Sequence, residues 1–161
     1  MRNILIITSI IFICNSCFIH KGQRIDGQCR PKNPNFKLVK TPFKETDKIV
    51  FNKIYTYKNV YKTGIGFYRD GRLICFNAED GFILEEKNVR DKNWNNAIAV
   101  GYWRFNDDKI SIEFFVCQDG GWYNKKQGEI KGDTIVFYKN LYDFRGKEVR
   151  EERYVLSDMR F

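Results

Sequence analysis

Past residue 48 the chain alternates short apolar and aromatic runs with tight polar turns. In "FYRDGRLICF" an Asp70-Gly71 pair separates two such runs, the signature of a two-residue hairpin whose turn needs positive φ. "IKGDTIVFY" repeats the logic at Gly132-Asp133, "RFNDDKISIEFF" at Asn106-Asp107-Asp108, and "DFRGKEV" at Arg145-Gly146. "EDG" (Glu79 to Gly81) and "QDGG" (Gln118 to Gly121) read as looser loops. After Asp108 the period is two: Ile110, Ile112, Phe114 and Val116 share one face, Ser111 and Glu113 the other. The pattern predicts eight or nine strands, over 48–57, 62–69, 72–77, 82–87, 97–105, 109–117, 126–131, 134–140 and 149–156. Only 85–96 suggests a short helical turn or a loop. Sequential hairpins without long crossovers predict an all-β, antiparallel up-and-down meander that closes into a barrel and so removes its exposed edges.

The start of the chain follows another rule. Arg2 precedes Ile4 to Ile13, an apolar run broken only by Thr8 and Ser9. Ten helical residues span about 15 Å, half a hydrocarbon core, so the run is too short for a stable transmembrane helix. A charged start, a short apolar stretch and small residues after it are the layout of an export signal. The polar stretch "HKGQRIDGQCRPKNPN", His20 to Asn35, follows at once and reads as a linker rather than the partner of a buried strand. "CNSC", Cys14 to Cys17, resembles a bacterial lipoprotein signal, with Ser16 the small residue before cleavage and Cys17 the acylated first residue. Cys14 stands where such signals usually carry an aliphatic side chain. The organisation expected is therefore a signal peptide over 1–16, a tether over 17–44 and a barrel over 45–161.

Composition adjusts this picture in two places. Aromatic residues reach 16%, with 14 Phe, 9 Tyr and 3 Trp, which favours strands. The formal charge of +8 becomes +7 once Arg2 leaves with the signal, 27 basic side chains against 20 acidic. No basic run exceeds the pair Lys125-Lys126, so the charge reads as solvated strand faces rather than a nucleic-acid footprint. Export also reopens the cysteine count. With Cys17 acylated, Cys29, Cys75 and Cys117 remain, an odd number that allows one bridge; buried unpaired thiols are the default expectation.

"GYWRFNDDKISIEFF" (Gly101 to Phe115), "QGEIKGDTIVFY" (Gln127 to Tyr138) and "GFYRDGRLI" (Gly66 to Ile74) together resemble small lipocalin-like lipoproteins of Bacteroidetes, many without assigned function. The shared grammar is a Gly-x-Trp strand, a polar turn, an alternating strand and a Gly-x-Ile-x-Gly-Asp hairpin, over roughly residues 48–157. In lipocalins Gly-x-Trp opens the first strand, whereas Gly101-Tyr102-Trp103 lies mid-chain. The resemblance implies a lipocalin-like barrel.

Several chemistries find no residues. The single histidine, His20, lies in the arm, so no His-based triad or Cys-His pair can form inside the barrel, and no His/Cys spacing fits zinc. Phosphate-cradling glycine loops are absent, and Asp119-Gly120 lacks the succession of oxygen ligands that calcium needs. The pairs Glu79-Asp80, Glu85-Glu86 and Asp107-Asp108 sit at turns or strand ends, where solvated acids are ordinary. "YTYKNVYK" (Tyr55 to Lys62) mixes aromatic and basic residues, but as alternating strand packing rather than a nucleic-acid platform. The expectation is a non-catalytic protein with no cofactor and no metal, held at the cell envelope, as an outer-membrane lipoprotein, by a lipid on Cys17. Its barrel would bind a small apolar ligand or a partner protein, with Trp103, Phe105, Ile112, Phe114 and Phe137 as interior contacts. Alternatives are an integral outer-membrane barrel, for which the terminal Phe161 speaks, and a secreted soluble binding module.

Overall fold

The computed structural model describes residues 21–59, 62–78, 83–143 and 146–161; Ser16, Cys17 and the expected signal peptide lie outside them. Ten strands form among the described residues: β1 (Gly22–Ile25), β2 (Gln28–Pro31), β3 (Lys53–Tyr57), β4 (Thr63–Phe67), β5 (Arg72–Asn77), β6 (Ala99–Asn106), β7 (Lys109–Val116), β8 (Trp122–Lys131), β9 (Thr134–Asp143) and β10 (Gly146–Arg160). From β3 to β10 each strand pairs with the next in antiparallel register, and β10 returns to β3. The result is the eight-stranded up-and-down barrel expected from the alternation.

The turns obey their residues. Asp107 and Asp108 take φ of 48° and 62°, the left-handed pair of a tight hairpin, and Gly71 and Gly132 take 85° and 63°. Inward-facing glycines let the wall bend sharply. A Cβ at Gly101 would lie 2.1 Å from the Glu113 carbonyl oxygen, and one at Gly128 would lie 2.1 Å from that of Val136.

The register sorts inner from outer faces. Trp103 opposes Ile112, Phe105 opposes Ile110 and Gly101 opposes Phe114, while Gly128 opposes Phe137. All five residues expected inside therefore face inward. Trp103, Phe137 and Ile112 are fully buried with Tyr55, Phe67 and Leu73, and Phe105 and Phe114 pack on this cluster.

Two expectations need correction. Of the strand expected over 82–87, the described residues form none: 83–85 are irregular and Glu86–Val89 makes a short helix, α1. Its start is fixed by a capping box in which the Glu85 N–H donates to the Asn88 side chain at 2.9 Å. Leu84, Val89 and Ala97 then cover the outer wall formed by Ile54, Ile74 and Val100.

The expected tether is the larger correction, because most of its described part is bound to the barrel. β1 and β2 form a hairpin, and β2 adjoins β6 in parallel with Cys29 opposite Ala99. Cys29 is bridged to Cys117, which also overturns the expectation of unpaired thiols; of the three, Cys75 alone is free. Phe36 wedges edge-on between Tyr102 and Tyr123, with ring centroids 5.1 and 5.0 Å away. Beyond it the Leu38 N–H donates to the Glu113 carboxylate at 2.8 Å, and the Arg104 guanidinium donates to the Thr41 carbonyl at 2.8 Å. The "arm" is thus a strap across the outer faces of β6 to β8. Glu113, on the face opposite Ile112, is only 1% exposed because this strap covers it.

Candidate functional site

The two ends of the barrel are built differently. One end holds the β4–β5, β6–β7 and β8–β9 turns and is plugged by aromatic rings. Phe43, Phe51 and Phe67 lie with centroids 5.1, 5.9 and 5.9 Å from Trp103, whose indole N–H donates to the Tyr68 carbonyl at 2.9 Å.

Toward the other end the wall splits. β8 and β9 pair from Gln127↔Tyr138 to Lys131↔Thr134 and no further. Above that point Trp122 to Lys126 remain paired to β7, and Lys139 to Asp143 to β10, with no ladder between them among the described residues. The two strands part as the arms of a V. β10 likewise meets β3 only from Tyr154 onward, so the upper parts of β9 and β10 rise as a two-stranded ribbon.

At this seam lies a cavity of about 660 Å³. Ile112 and Phe137 supply its apolar inner wall, and Asn124, Lys126, Lys139 and Glu152 its polar one. The register puts these four in phase with the inward residues: Ile112 opposes Lys126, Phe114 opposes Asn124, and Phe137 opposes Glu152. Outward-facing Ser111, Lys125, Gln127 and Tyr138 line it too, with Leu38 of the strap, so the cavity passes through the wall at the seam.

Its chemical centre is a half-buried cation. The Lys126 ammonium pairs with Glu152 and donates to the Tyr154 hydroxyl at 3.2 Å, and lies 5.8 Å from the Phe114 ring centroid. Burial pulls the Lys126 pKa down, but Tyr154 and Glu152 more than offset it, and the net shift is upward. Burial also raises Tyr154. Cys75 points inward from β5 nearby, and burial pushes its thiol up to about 12, against a small opposing effect of Lys126.

Of the residues named from sequence, Ile112 and Phe137 line the cavity, Phe114 borders its cation, and Trp103 and Phe105 belong to the plugged end. Cys17 and Ser16 lie outside the described residues. Sequence reasoning missed Lys126, Glu152 and Asn124. A signal existed, since Lys126 is in phase with inward Gly128 and Ile130, and Glu152 with Tyr154 and Leu156. Beginning the strand at residue 126 instead of Trp122 left out Asn124, while Lys126 and Glu152 lay inside expected strands whose inward phase was not followed. The carboxylate pairs fall at structural positions: Glu85 caps α1, Asp107 and Asp108 make the β6–β7 turn, and Glu79-Asp80 lie outside the described residues.

The sequence matches no family model, and neither the curated proteins nor the solved structures hold a similar chain.

Proposed function

We propose that this chain is a lipid-anchored protein of the cell envelope whose barrel binds a small amphipathic anion in the seam cavity without transforming it. One observation carries the reading: at the split wall the core residues Ile112 and Phe137 form the floor of a cavity beside an inward ammonium, Lys126. The sequence alone pointed to a small apolar ligand or a partner protein. The cation beside the apolar wall favours an amphiphile with a phosphate or carboxylate head, since an anion can replace Glu152 as partner to Lys126.

Absence of catalysis is supported by the pKa directions. Lys126, Tyr154 and Cys75 are all driven upward, keeping a protonated thiol and phenol at neutral pH, the reverse of an activated nucleophile or base. The covered outer wall favours a lipid-anchored or secreted barrel over an integral one. The strap and the 84–97 segment occupy faces that lipid would need, and β3 and β4 have 5 residues each where a tilted span needs roughly 9–11.

The test titrates dodecyl phosphate and dodecanol into processed chain (residues 17–161) carrying Cys17→Ser, by calorimetry. Dodecyl phosphate should bind; Lys126→Met should weaken it about 10–100-fold, the range of a charged hydrogen bond. Glu152→Gln should tighten it by removing the competing carboxylate. Equal binding of the alcohol and the phosphate contradicts the reading. For the anchor, Cys17→Ala should move the full chain out of the acylated membrane fraction, and an unchanged lipid-bearing mass would refute acylation there.

A further inference from the structure

The open end carries most of the exposed large apolar side chains. Seven are exposed among the described residues: Ile25, Val39, Val50, Ile83, Ile98, Trp122 and Val149. Ile25 ends β1 at the β1–β2 turn, and Ile98 precedes β6, where its carbonyl accepts the Cys29 N–H at 2.6 Å. Trp122 opens β8, Ile83 follows β5, and Val149 stands on the ribbon. By their places in the strands Ile25, Ile98, Trp122 and Val149 belong to the open end, Val39 to the strap and Val50 to the plugged end. Single exposed apolar residues need no explanation; a concentration at one end does.

The chain's N-terminal side leaves from this same rim. The Lys21 N–H donates to the Gly120 carbonyl at 2.7 Å, fixing it to the β7–β8 loop beside Trp122, and the Lys32 N–H donates to the Lys21 carbonyl at 2.9 Å. Cys17 lies four residues before Lys21. Four residues span at most about 14 Å, so the tether between an acylated Cys17 and the rim is short, not the long spacer that the sequence suggested.

Charge agrees with the placement. Lys21, Lys32, Lys58 and Lys139 at the open end have no ion-pair partner among the described residues, although unpaired cations such as Lys44 and Lys109 occur at the plugged end too. Unpaired lysines around an exposed indole suit the interface of an anionic bilayer.

We infer that the open rim, which carries Ile25 and also Trp122 at the mouth of the seam cavity, is a membrane-docking face for an anionic bilayer, so that the barrel stands seam-down on the membrane to which Cys17 attaches it. This rests on the acylation of Cys17 proposed above. Docking would direct the seam at the lipid rather than at the aqueous phase, and would place the plugged end outward.

The test uses acylated full chain reconstituted in vesicles of phosphatidylcholine and phosphatidylglycerol brominated on the upper acyl carbons. Trp fluorescence is compared between the wild type, Trp122→Phe, and Trp122→Phe/Val50→Trp, which moves the probe to the plugged end. Quenching should fall at least about twofold in Trp122→Phe and should not return with Val50→Trp. Protein that sediments with the vesicles but shows equal quenching at both positions overturns the docking and leaves the anchor standing. Protein that stays in the supernatant overturns both. A dimer in solution that Trp122→Ser dissolves would make the rim an interface between copies and would likewise overturn it.

Discussion

The plugged and the open ends of this barrel use the same alternation to opposite effect. At the plugged end the inward positions of β4 to β6 are Phe67, Leu73 and Trp103, all 0% exposed, and the 43–51 segment adds Phe43, Ile49 and Phe51 over them. At the open end the inward positions of β8 to β10 are Asn124, Lys126, Lys139 and Glu152, and the ladder between β8 and β9 stops. Side-chain chemistry and pairing change together. A ladder that closed over Lys126 and Glu152 would take both charges further from water, at a cost of several kcal/mol per ion where the pairing is imperfect. Stability resides where the rings meet, and the polar end is free to bind.

Disturbing each end separately sharpens this contrast. Trp103→Ala removes the plug and should lower stability by about 3–5 kcal/mol in urea unfolding, the largest single effect expected. Breaking the strap's bridge with Cys117→Ser should cost about 2–4 kcal/mol by the same measurement, since the bridge closes a long loop with a sequence separation of 88. A smaller loss, about 1–3 kcal/mol, is expected of Glu113→Ala, which leaves the Leu38 N–H without its acceptor. Lys126→Met/Glu152→Leu replaces the open end's ion pair by apolar volume and should change stability by less than about 1 kcal/mol while abolishing dodecyl phosphate binding. A large loss of stability in that double variant would mean that the open end, too, is structural.

Alkaline pH probes the open end through Cys75 and Lys126, while the raised Tyr55 and Tyr68 at the plugged end act in the same direction. Above pH 9 an unfolded Cys75 loses its proton while the folded thiol keeps it up to about 12, so the unfolded state gains with rising pH. The raised Lys126 acts in the same direction: its contribution is complete below the ordinary value of 10.5 and is lost as pH climbs through its folded pKa. Stability should fall between pH 9 and 12, and Cys75→Ala should flatten the first part of that fall. A fall of unchanged slope in Cys75→Ala would place the responsible group elsewhere.

The barrel was legible because its signals are local. Asp70-Gly71, Asp107-Asp108 and Gly132-Asp133 announce their turns, and the period of two around Ile110, Ile112 and Phe114 announces the inner face. What stayed hidden depends on distant partners. The polar run from His20 to Asn35 looked like linker, yet Phe36 and Cys29 bind it to Tyr102, Tyr123 and Cys117 far along the chain. Glu113 alternates as a surface residue should, and only the returning strap buries it. Residues 82–87 have the composition of a strand, but Asn88 can cap a helix with Glu85, and Leu84 and Val89 find an apolar wall already made. The seam was hidden for a different reason: composition marks where strands run and says little about where two of them part.

The seam is also the feature most directly open to measurement. Amide hydrogen exchange resolved by residue compares the two halves of β8 and β9 in one experiment. Amides of Trp122 to Lys126 and Lys139 to Asp143 that face the seam should exchange far faster than the paired amides of Gln127 to Lys131 and Thr134 to Tyr138, and dodecyl phosphate should slow the former alone. Uniform protection along both strands, unchanged by the ligand, would mean that the wall is closed and that no binding site opens there.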